Sequence, residues 1–151
     1  MKKVVIALFL TCILHPLPAT EQFPDLFIYN NQILYIRDLP IDILSSYLPI
    51  EVNNQILASQ TGYSTGCYRG YVATWKLEND SLFLVKLENI KGKELALEKY
   101  FPGKNSPKGV FADWFNHIIK AGMKDIMFSE KYLASIRFKG RFKNGILQEI
   151  L

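Results

Sequence analysis

Three pairs of turn residues, each set between apolar-rich runs, constrain this 151-residue chain more than any other feature. Asn30-Asn31, Asn79-Asp80 and Asn144-Gly145 are types that tolerate the positive φ angles of two-residue hairpin turns. The runs around them predict strands at 26–29 and 32–36, at 71–78 and 81–87, and at 136–143 and 146–150. The second hairpin permits a test of register. With Asn79-Asp80 at the tip, Glu78 faces Ser81, Leu77 faces Leu82 and Trp75 faces Leu84. Side chains alternate along a strand, so Trp75, Leu77, Leu82 and Leu84 share one face, and Thr74, Lys76, Phe83 and Val85 the other. A slip of one residue would scatter that apolar cluster.

Between the hairpins the pattern is weaker. Short helices are expected at 41–48, behind Pro40, and at 93–100, before Pro102-Gly103. The Asn-, Gln-, Ser- and Thr-rich stretch 50–66 reads as a long polar connection. Over 110–122, apolar pairs at 110/111, 114/115 and 118/119 fit one helical face. Phe111, Trp114, Phe115, Ile118 and Ile119 are nonetheless strand-favouring types. The expected fold is mainly β, an antiparallel meander of about six or seven strands with one or two short helices.

The N-terminus carries a different message. Lys2-Lys3, the apolar run 4–14 and the Pro16-Leu17-Pro18-Ala19 stretch have the layout of a cleavable export signal. This eleven-residue run spans only about 16 Å as a helix, whereas a bilayer interior is about 30 Å thick. Residues 1–19 are therefore expected to be a signal peptide and 20–151 a single β-rich domain, periplasmic or secreted, with no transmembrane anchor after cleavage. Such a domain retains Cys67 alone of the two cysteines, so no intramolecular disulfide can form. Its charge is small but lopsided, with a balance of −4 over residues 20–98 and +6 over 99–151. Bias of this kind bears on partners more than on fold.

The segments Gly70-Tyr71-Val72-Ala73-Thr74-Trp75, Leu82-Phe83-Leu84, Phe101-Pro102 and Val110-Phe111-Ala112-Asp113-Trp114-Phe115 resemble a family of small bacterial proteins with a GYxAxW, LxL, FP and VFADWF pattern. The resemblance covers about half of the chain beyond residue 19. It implies organisation only, since the family has no established activity; in it the FADWF segment leads into a strand. This chain differs in placing Asn116-His117 where the resemblance implies a small residue and glycine.

Few residues offer chemistry. Cys67 and His117 are the sole cysteine and histidine beyond residue 19, and Asp113 precedes His117 by four. A thiol nucleophile needs a base within hydrogen-bond reach and a group to orient that base. Asp113 and His117 would be neighbours on a helix, but about 13 Å apart on a strand. A thiol-dependent hydrolase built on Cys67, His117 and Asp113 is thus the enzymatic alternative. No metal-ligand spacing, phosphate-cradling loop or nucleophile elbow is present, so neither metal nor cofactor is expected.

A binding role has more to stand on. Arg137, Lys139, Arg141 and Lys143 alternate with Phe138, Gly140 and Phe142, which on a strand turns four cations to one side. Lysines on exposed strands also serve to block unwanted sheet pairing. Tyr63, Tyr68 and Tyr71 surround Arg69, and such aromatic and arginine side chains often anchor interfaces. The sequence points to a non-enzymatic binding protein with Arg69, Tyr71, Arg137, Lys139 and Arg141 as contacts. Its expected partner is an acidic protein or an anionic envelope component, and not nucleic acid. A toxin-neutralising, immunity-type protein is the second binding alternative.

Overall fold

The computed structural model describes residues 23–36, 47–59, 67, 69–123 and 136–151. The export signal, most of the expected 41–48 helix, Tyr63 and Tyr68 lie outside them.

All three hairpins form where the turn residues place them. β1 (Leu26–Tyr29) pairs with β2 (Gln32–Ile36), β3 (Tyr71–Glu78) with β4 (Ser81–Asn89), and β8 (Ile136–Lys143) with β9 (Ile146–Ile150). The six turn residues all have positive φ, between 48° and 74°, the backbone twist that suits a two-residue hairpin turn. In the second hairpin Glu78 faces Ser81, Leu77 faces Leu82 and Trp75 faces Leu84 as expected. The ladder then slips: Thr74 pairs with Lys86, which makes Val85 the extra residue of a β-bulge. Thr74, expected on the face opposite Trp75, is buried as well.

The fold is mainly β, but it is not a pure antiparallel meander. β1 lies parallel to β3, with Phe27 beside Trp75. Strand order runs β3-β1-β2-β7-β8-β9-β4, and the β3–β4 pairing closes these seven into a barrel, where β7 is Ile118–Gly122. β5 (Asn105–Ser106) and β6 (Gly109–Phe111) add a short hairpin against β4. β4 therefore shares one edge between two neighbours. Ser81 near its tip pairs with Ile146 of β9, while Phe83 and Leu84 pair with Phe111 and Val110 of β6. A meander expectation misses this because parallel pairing and a shared edge are non-local, and no local turn residue encodes them.

Two helices occur among the described residues. α1 (Ile50–Ala58) replaces the expected polar connection: Val52, Asn53 and Ile56 form its buried stripe, at helical spacing. Pro49 opens it, and its carbonyl accepts from the Asn53 amide at 2.9 Å. α2 (Leu97–Tyr100) is a single turn inside the expected 93–100 span. The 110–122 segment is strand, corner and strand. Val110, Ala112, Phe115, Ile119 and Ala121 are all buried, and the two strand parities joined by a corner imitate a helical period.

The barrel interior holds Phe27, Leu34, Trp75, Leu84, Phe115, Phe138 and Phe142. Rings dominate it, with Phe27–Phe138 centroids at 4.7 Å and Trp75–Phe115 at 5.5 Å. Gly140 sits in mid-strand because a Cβ there would lie 2.6 Å from the Phe138 ring tip and 2.8 Å from Leu147.

Candidate functional site

Three places bear the side chains singled out by the sequence, and they differ sharply in what they can do. The first is the interior cluster at the start of β1. Parallel pairing sets Asp25, one residue before β1, alongside Ala73 of β3. Asp25 is fully buried, and its carboxylate accepts from Arg69 Nη1 at 2.9 Å, the Ala73 amide at 3.0 Å and Trp75 Nε1 at 3.1 Å. Its carbonyl accepts from the Ile36 amide at 2.8 Å, so one residue ties together β1, the end of β2 and β3. Arg69 also donates to the Phe23 carbonyl at 2.9 Å and stacks over Tyr71, 5.2 Å from the ring centroid. Burial works against its charge, yet Asp25 and its neighbours hold the Arg69 guanidinium more firmly protonated than usual. Arg69 is 2% exposed and Tyr71 0%. Both expected contacts are thus interior fasteners, out of a surface partner's reach. The decisive partner, Asp25, carries no mark in the sequence, where 44 residues separate it from Arg69.

The second place concerns the thiol. Cys67 is buried, and its Sγ donates to the Tyr71 carbonyl at 3.2 Å. Burial pushes the Cys67 pKa up, against the opposing pull of Arg69, so the neutral thiol is favoured over the nucleophilic thiolate. His117 lies elsewhere, at the corner before β7, with its ring against Phe115 (5.2 Å) and Tyr47 (5.5 Å). Desolvation by those neighbours lowers its pKa. Asp113 is exposed at the same corner, but its carboxylate faces Lys104 Nζ at 3.4 Å. No hydrogen bond joins Cys67, His117 and Asp113 among the described residues. The dyad that a thiol hydrolase needs is not formed. Asn116, in contrast, is a structural tie. Its Oδ1 accepts from the Asn144 amide at 2.8 Å and staples the corner to the third hairpin.

The third place is the outer wall of β7 and β8. Phe138, Gly140 and Phe142 point inward, so Arg137, Lys139, Arg141 and Lys143 point out. Cross-strand register puts Lys120 of β7 directly opposite Lys139, and Ile118 opposite Arg141. Arg141 makes a solvent-exposed ion pair, its Nε meeting Glu149 Oε1 at 2.8 Å. Arg137, Lys139 and Lys143 make no ion pair among the described residues. No group of three metal-ligating side chains occurs among those residues, and no helix there is long and apolar enough to cross a membrane. Compared with known proteins, the chain matches no family model, no curated protein and no solved structure.

Proposed function

We propose that this is an exported, non-enzymatic binding protein that engages an acidic protein or anionic envelope component through the outer face of β7 and β8. The observation that carries this reading is the outward row Arg137, Lys139, Arg141 and Lys143. Cations two residues apart on a strand repeat about every 6.7 Å, so the row presents positive charge along most of one barrel wall. Electrostatic contacts of this kind set encounter rate and specificity, and salt weakens them.

The reading is tested with defined anionic probes, namely polyglutamate and vesicles with or without anionic lipid. The protein is expected to bind at least one anionic probe and to release it as salt rises. Reversing charge at Lys139 and Arg141 together should weaken binding about tenfold or more and flatten the salt dependence. Equal binding by the double variant, with an unaltered salt profile, would defeat the proposal.

A further inference from the structure

A cleft of about 980 Å³ lies elsewhere on the outer wall, where the β5–β6 hairpin and residues 94–98 stand over β3, β4 and the β1–β2 turn. That volume is at the upper end for small-ligand sites, more than a single amino acid fills. One wall is fixed. Gly109 has φ +99°, and a Cβ there would come within 2.5 Å of the Leu84 carbonyl oxygen, so the hairpin is pressed against β4.

The lining carries both signs of charge, Lys76 and Lys108 with Glu78, Glu94 and Glu98, around an apolar strip that includes Ile28 and Val85; Glu98 already accepts from the Gly103 amide at 2.8 Å. These charges are poorly satisfied by one another. Lys76 Nζ stands 3.6 Å and Lys108 Nζ 3.9 Å from the Glu78 carboxylate, beyond the 2.7–2.9 Å or so of a charge-assisted hydrogen bond. On the same protein Lys86–Glu88 and Arg141–Glu149 close to 2.9 and 2.8 Å. Glu78 Oε2 accepts no hydrogen bond although it is shielded from water, a state that costs stability until a donor arrives. Glu94 makes no close ion pair among the described residues, its cationic neighbour Lys86 being held instead by Glu88 at 2.9 Å.

We infer that the cleft binds a short zwitterionic peptide. Its ammonium end would displace the loosely held lysines from Glu78 or meet Glu94, its carboxylate would meet Lys108, and its body would lie on Ile28 and Val85. A mixed-sign lining fits a ligand bearing both charges better than one bearing either alone. The site shares none of its named residues with the basic wall, so each proposal stands or falls separately.

The test is calorimetric or NMR titration of the full chain with trialanine, its N-acetylated form, its C-amidated form, the doubly blocked form and a simple diamine. Free-ended trialanine should bind, and blocking either end should weaken it about tenfold, roughly the loss of one charged hydrogen bond. Glu78→Gln and Lys108→Gln should each cause a similar loss, with the folded state confirmed by circular dichroism, while the Lys139/Arg141 charge reversal leaves affinity unchanged. No saturable binding of trialanine at millimolar concentration, or equal binding of the doubly blocked form, would overturn the inference. Diamine binding as tight as trialanine would also overturn it, by reducing the site to a cation subsite.

Discussion

Asp25 Oδ1 sits 2.9 Å from Arg69 Nη1, with both side chains sealed from solvent. The pair joins a segment before β1 to the loop before β3, and Trp75 and Ala73 complete the carboxylate's coordination. A buried ion pair is costly to form but far costlier to break on one side, since the survivor is left as an uncompensated charge.

Arg69→Met should therefore destabilise the protein by about 3–5 kcal/mol, read as a fall in urea midpoint. Arg69→Lys should recover only part of that loss, because an ammonium cannot reach both Asp25 and the Phe23 carbonyl as the planar fork does. A loss below about 1 kcal/mol for Arg69→Met, the range of an exposed pair, would show that the pair is not holding the strands together.

Gly140→Ala isolates a steric requirement. The added Cβ would press on the Phe138 ring tip and Leu147, and overpacking of this kind costs about 1–3 kcal/mol. In a Phe138→Leu background the ring tip is gone, so the same substitution should cost distinctly less. A double-mutant cycle measures the difference, and zero coupling would refute the packing explanation.

Cys67 should behave as a masked thiol. In a Cys12→Ser background, Ellman's reagent should label it slowly in the native state and at once in denaturant. Its raised pKa also has a thermodynamic sign. The neutral thiol's contribution to stability is complete below the unfolded thiol pKa of about 8.5 and is lost as pH rises through the higher folded value. Relative to Cys67→Ala, the parent protein should lose more stability between about pH 8 and the alkaline limit of folding. Rapid native-state labelling would contradict the burial on which this rests.

The contrast between what the sequence disclosed and what it concealed follows the distance over which each feature is encoded. Asn79 and Asp80 carry their turn geometry locally, so the pairing of Trp75 with Leu84 follows from the turn alone. The Val85 bulge does not, since nothing in that strand marks the slip. α1 is hidden by its composition: Asn53, Asn54 and Gln55 read as loop residues, and only the Val52–Ile56 stripe, buried by tertiary packing, makes them helical. The outward basic row is visible because strand alternation alone defines it. Asp25 as the partner of Arg69 requires the parallel β1–β3 register, which no local motif announces.

The seam of the barrel invites the last prediction. β4 and β9 meet through one ladder pair, Ser81 with Ile146, flanked by bonds from the Leu82 amide to the Gly145 carbonyl and from the Leu147 amide to the Asp80 carbonyl, both 2.8 Å. By contrast, β3 and β4 share a ladder along their whole length. Opening the seam breaks few hydrogen bonds and need not disturb that hairpin, and such weakly tied units open below the global unfolding free energy. Native-state hydrogen exchange should therefore release the Leu82 and Leu147 amides before those of Lys76 and Phe83, which face each other across the β3–β4 ladder. Exchange of all four only through global unfolding would mean that the barrel opens as a single unit, because the corner residues packed behind the seam, above all Ala112 against Gly145, bind it as tightly as a full ladder would.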